Sequence, residues 1–152
     1  MQMLLWSLLA GIIIILDQLT KYLVVENIGK TQVITLIPKV LDLVYVKNTG
    51  AAFNILSGRI GFLSIISLLF VIGVIWYMIV KKPQNRLFCI ALMLLFSGAV
   101  GNMADRIFRG FVVDFIKTVF IEFPVFNIAD IAITCGAILL IIYLLFFEGR
   151  KE

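Results

Sequence analysis

The chain has 152 residues, of which 62% are hydrophobic and 14% charged, and its mean hydropathy is +1.14. A soluble domain carries nearly twice that share of charge, so a soluble globular fold is excluded and a single integral membrane domain over residues 1–152 is expected. The net charge of +4 is then loop charge at a membrane face rather than a nucleic-acid footprint. Histidine is absent and there is no C-x-x-C pair, which removes histidine zinc sites, Ser-His-Asp triads and Cys-His pairs.

Four apolar segments, at about 4–25, 60–80, 87–108 and 128–147, are each long enough to cross a hydrocarbon core of about 30 Å at about 1.5 Å per residue. The first lacks the basic start and A-x-A site of a cleaved signal peptide, so a retained span is expected. Between spans one and two, the outer loop over about 26–59 is too long for idle coil. Its stretches TQVITLI and LDLVYVKN are rich in β-branched and aromatic residues and predict two short strands. NTGAAFN predicts a turn at Gly50 followed by a short surface helix. The expected fold class is therefore an all-α membrane protein with four transmembrane helices, a small extracytoplasmic β element and a short surface helix. KKPQNR, between spans two and three, and the closing EGRKE are dense in Lys and Arg, which predicts both termini on the cytoplasmic side. Cys89 and Cys135 lie in apolar runs and are expected to be buried small hydrophobes.

Counting along the spans places the polar residues at one depth. Asp17 is about 13 residues past the start of span one, or roughly 20 Å, and Asn102 about 15 past the start of span three, or roughly 23 Å. Lys21, Asp105 and Arg106 fall at similar heights, and Asn127 and Asp130 open span four. Charge inside a bilayer is costly and normally faces the bundle to serve function. Plainer roles compete: an i,i+4 ion pair for Asp17 and Lys21, a capping box for Asn127 and Asp130, an interfacial anchor for Asp105 and Arg106, and a loop carboxylate for Asp114.

The chemistry left open is a carboxylate pair sharing one proton around a water: one group takes a proton from the water as it attacks an amide carbonyl, and the other polarises that carbonyl. Asp130 is one candidate, and spacing leaves Asp17, Asp105 and Asp114 competing to be its partner.

DQLTKYLV, VKNTGAAFN, SGAVGNMADRIFRGFVVDFI and FPVFNIADIAI, in this order and covering nearly the whole chain, resemble the bacterial lipoprotein signal peptidases (signal peptidase II). The resemblance implies an intramembrane aspartic endopeptidase with Asp114 and Asp130 as its dyad and no metal or cofactor. It implies cleavage of diacylglyceryl-modified prolipoproteins before the lipidated cysteine, at the extracytoplasmic face of the bacterial cytoplasmic membrane. Asp17, Lys21, Asn48, Gly50, Ala51, Phe53, Gly98, Asn102, Asp105, Arg106, Asn127 and Ala129 correspond to residues that shape or support the site. Inhibition by the cyclic peptide globomycin is also implied. The expected partners are lipidated prolipoproteins and membrane lipids, with no nucleic acid and a monomeric chain. The rivals are a small proton-coupled transporter, whose polar groups would lie near the midplane, and a structural subunit, which needs no cluster of costly charge at one height.

Overall fold

The computed structural model describes residues 2–29, 32–51 and 55–147. In chain order the elements are α1 (Gln2–Asn27), β1 (Ile34–Ile37), β2 (Leu41–Asn48), α2 (Ile60–Lys81), α3 (Arg86–Arg109), β3 (Val112–Thr118) and α4 (Ile128–Phe146). All four helices are long and apolar enough to cross a membrane, and each falls on a segment expected to do so. Their outward faces carry exposed Leu4, Ile15, Leu69, Trp76 and Leu145, the inverse of a water-soluble surface. Cys89 is buried as expected, but Cys135 is exposed, because its position on α4 faces away from the bundle.

α3 is the central helix, packed against α1, α2 and α4. Asn85 caps its start by accepting from the Phe88 N–H at 3.1 Å, and Gly110 ends it in the left-handed conformation at φ 75°. Small residues let α4 lie directly on α3. A Cβ added at Gly98 would overlap the Ala129 carbonyl, and one at Gly136 would come within 2.9 Å of the Ala91 carbonyl. With little hydrophobic drive between helices in lipid, such backbone approach supplies the packing.

The two strands expected in the outer loop are present, and the structure adds a third. β1, β2 and β3 form an antiparallel sheet in that order, with Val46 opposite Asp114 and Asn48 opposite Val112. β3 follows α3 directly and is buried on both faces from Val112 to Phe115, so it does not alternate like a surface strand. Val113 and Phe115 pack on Val24 of α1 and on Ile28 just beyond its end, which seats the sheet on one end of the bundle. The expected surface helix falls partly on residues 52–54, outside the described residues. The described residues 55–58 form a turn, closed where the Gly58 N–H donates to the Thr49 carbonyl at 3.1 Å.

Candidate active site

The polar residues spaced through three spans meet at the sheet end of the bundle. Asp17, Lys21, Asn102, Asp105, Asp114 and Asn127 are all buried there, and every buried side-chain nitrogen or oxygen among the described residues has a hydrogen-bond partner. Burial of charge is tolerated only with such complete pairing.

Lys21 organises the inner part. Its ammonium has three protons and meets three acceptors: Asp17 Oδ2 at 2.9 Å, Asp105 Oδ2 at 3.1 Å and Asn102 Oδ1 at 3.0 Å. Asp17 also accepts from Gln18 Nε2 at 3.0 Å and, through Oδ1, from the Ala129 backbone N–H at 2.9 Å, which ties α1 to the first turn of α4. Asp105 accepts from Arg109 Nε at 3.1 Å and from the Val113 N–H at 3.0 Å, fixing where β3 leaves α3. The ion pair expected of Asp17 and Lys21 is present, within a larger network. Asp105 is 1% exposed, so it is a buried strut and not an interfacial anchor.

Asp114 and Asp130 are held in a different way: they meet amides, not cations. Asp114 accepts from Asn48 Nδ2 at 2.9 Å and Asn127 Nδ2 at 2.7 Å. Asp130 accepts from Asn102 Nδ2 at 2.8 Å and from the Asn127 backbone N–H at 3.1 Å. Asn127 thus touches both carboxylates, one through its side chain and the other through its backbone. It is also the N-cap of α4, with Oδ1 accepting from the Asp130 N–H at 2.9 Å, so the capping box expected from sequence is formed.

Each asparagine is oriented by what its own oxygen accepts. Asn48 Oδ1 is taken by the Gly50 N–H at 2.8 Å, Asn102 Oδ1 by Lys21 and by Asn127 Nδ2, and Asn127 Oδ1 by Asp130. With the oxygens occupied, all three NH2 groups turn to the two carboxylates. Asn48 reaches Asp114 because β2 and β3 place it diagonally across the same face of the sheet. Arg106 Nη2 in turn holds the Gly50 carbonyl at 3.1 Å.

Burial drives the Asp114 carboxyl up from 3.8 to about 6, opposed by the Asn48 and Asn127 hydrogen bonds and by Lys21, and assisted by the charge of Asp130. The three carboxylates competing to partner Asp130 differ in what holds them. Asp17 and Asp105 are consumed by cations and backbone N–H groups, whereas Asp114 shares Asn127 with Asp130.

The supporting residues expected from sequence divide by position. Asn48, Asn102 and Asn127 touch the pair; Lys21 and Gly50 act one bond further out, and Asp17, Asp105 and Arg106 hold those two in turn. Gly98 and Ala129 are contact points between α3 and α4. Ala51 donates to the Ile55 carbonyl at 2.7 Å and closes the turn after β2, without a hydrogen bond to either carboxylate. Phe53 lies outside the described residues.

Sequence reasoning missed Gln18, Arg109 and Gly101. A Cβ at Gly101 would lie 2.5 Å from Asp17 Oδ2. Gln18, beside Asp17 in the DQLTK stretch, also donates to the Gly101 carbonyl at 3.1 Å, and that adjacency was the available signal.

Comparison with known proteins agrees with this layout. The family model for signal peptidase (SPase) II matches residues 9–146. The lipoprotein signal peptidase of Shouchella clausii is 47% identical over 146 residues, covering 95% of both chains. That of Bacillus velezensis is 42% identical over 150 residues, covering 97% of this chain and 98% of its own. A solved bacterial membrane enzyme superposes with a TM-score of 0.89 at 39% identity, over 97% of this chain and 93% of that one. None of these similarities supports the transporter reading, and the polar residues gather at one end of the bundle rather than at its middle. By matched length, identity and fold, this chain belongs to the signal peptidase II family.

Proposed function

We propose that the chain is an intramembrane aspartic endopeptidase, with Asp114 and Asp130 as its catalytic dyad. Its substrates are diacylglyceryl-modified prolipoproteins, cut before the lipidated cysteine to release the signal peptide. The observation that carries this reading is the bridge at Asn127, which holds two carboxylates that form no ion pair among the described residues. Charge balance supports it: Asp17, Asp105, Asp114 and Asp130 stand against Lys21, Arg106 and Arg109, so one proton on the pair makes this partly buried cluster neutral. Four N–H donors point at the pair, leaving that proton to lone pairs the amides do not use.

The chemistry follows from one charged and one protonated carboxyl. The charged group removes a proton from water as its oxygen attacks the scissile carbonyl, and the protonated group donates to the developing oxyanion. Collapse of the tetrahedral intermediate breaks the C–N bond, and the proton gained by the first carboxyl passes to the leaving amine. The pair titrates as a unit throughout. With the basic 81–86 connection on the cytoplasmic side, the sheet and the carboxylates lie at the opposite, extracytoplasmic face. Acyl chains of the substrate then stay in the bilayer while the peptide reaches water. Block by globomycin and activity as a monomer belong to the same reading.

The test uses purified protein and a diacylglyceryl-modified lipobox peptide. Asp114→Asn and Asp130→Asn should each lower cleavage by about 10²- to 10⁴-fold with the fold intact. Asp105→Asn should lower it less, in step with lost stability. Full activity in folded Asp114→Asn would overturn the dyad, and cleavage of a peptide without the lipid at equal rate would overturn the substrate class.

A further inference from the structure

A second feature lies at the opposite end of the bundle. Phe70, Gly73, Val74, Tyr77, Phe88 and Leu92 line an apolar groove of about 270 Å³ between α2 and α3. Gly73 accounts for the space. The glycines at 98, 101 and 136 are each required by an atom within 3 Å of a would-be Cβ, but a Cβ at Gly73 would meet nothing within 4 Å. Glycine weakens a helix interior relative to alanine, and no helix contact here calls for it.

The surroundings of the groove describe its occupant. Gly73, Tyr77 and Lys81 stand at i, i+4 and i+8, so the stripe that opens the groove ends in a cation. The 81–86 connection continues with exposed Lys82 and Arg86 and contains no acidic residue. Among the described residues none of these three basic side chains has a carboxylate partner. Phe88 stacks between Tyr77, at 5.7 Å, and Tyr143, at 4.9 Å, the aromatic grouping expected at headgroup depth. An apolar slot leading to an aromatic ring and then to a run of positive charge matches one acyl chain beneath an anionic headgroup.

We propose that this groove is a binding site for an anionic phospholipid, one acyl chain lying along Gly73 and the headgroup over Lys81, Lys82 and Arg86. The lipid fills the gap between α2 and α3. A zwitterionic lipid offers the same chain but no net charge to the three cations. The site is independent of the peptidase reading, since neither its residues nor its test involve Asp114 or Asp130.

Trp76 is 58% exposed and one turn from Gly73, and the only other tryptophan is Trp6, so in a Trp6→Phe chain the signal comes from Trp76, beside the groove, alone. That protein is placed in vesicles containing brominated phosphatidylglycerol or brominated phosphatidylcholine with identical chains, and Trp76 quenching is compared. A preference for phosphatidylglycerol of about fivefold or more is expected, the attraction of at least one basic side chain. It should fall towards unity in K81Q/K82Q/R86Q. It should also fall in Gly73→Leu, which keeps the charges and fills the slot. Equal quenching by the two lipids, or a preference that survives loss of the three charges, overturns the site. A preference unchanged in Gly73→Leu overturns the seated chain, because charge at the surface would then suffice.

Discussion

Asp114 and Lys21 show two opposite uses of a buried ionisable group. Lys21 is a structural charge, fully paired, and removing it leaves Asp17 without a counter-ion and Asp105 with Arg109 alone. Lys21→Met should cost about 3–5 kcal/mol, read as a fall in the thermal unfolding temperature in detergent, and adding Asp17→Asn should restore part of the loss. Asp114 keeps a carboxyl that burial raises to about 6, against an ordinary 3.8. The folded protein therefore binds more proton than the unfolded chain between those values, and stability falls as pH rises across that window. Thermal unfolding followed from pH 4 to pH 7 should show this decline, flattened in Asp114→Asn. In the proposed dyad, loss of the shared proton should lower kcat/KM as pH rises beyond the pair's upper titration. A kcat/KM that climbs steadily from pH 5 to pH 9 would rule out a proton-sharing pair.

At the scale of elements, the contact between α3 and α4 sets the geometry of the carboxylates, because Asp130 sits in the first turn of α4 and Asn102 on α3. Gly98→Ala should press on the Ala129 carbonyl and Ile133, costing about 1–3 kcal/mol, and activity should fall more than stability alone explains. Gly11→Ala, where a Cβ meets nothing within 4 Å, should be neutral or slightly stabilising, and thermal unfolding of the two variants side by side checks both. The helices themselves were legible in the sequence, since twenty apolar residues in a row have few other homes. The common height of the polar groups was legible for the same reason, charge in lipid being too costly to scatter. β3 was not. Its run FVVDFIKT is rich in β-branched and aromatic residues, but it is buried on both faces and so lacks the alternation that marked the outer-loop strands. Spacing also could not choose a partner for Asp130, because Asp114 arrives there through sheet register, and register depends on β2, more than sixty residues earlier.

For the molecule as a whole, the ends of the bundle are unlike: one carries the sheet and the carboxylates, the other the basic connection and the lipid groove. The proposed orientation predicts opposite labelling from the two ends. In a background without Cys89 and Cys135, an impermeant maleimide applied to intact spheroplasts should modify Glu122→Cys at once and Gln84→Cys only after permeabilisation. The reverse pattern would invert the topology. The Asn127 bridge carries one more consequence, for biosynthesis. The ribosome delivers α1 to β3 first, Asp114 included, but Asp130 and the Asn127 that bridges the two carboxylates come only with the last span. A nascent chain that has inserted three of its four helices then lacks both the Asn127 donor to Asp114 and the second carboxyl of the proposed dyad. On the proposed dyad, competence to cut arrives in one step, when the first turn of α4 winds onto its cap.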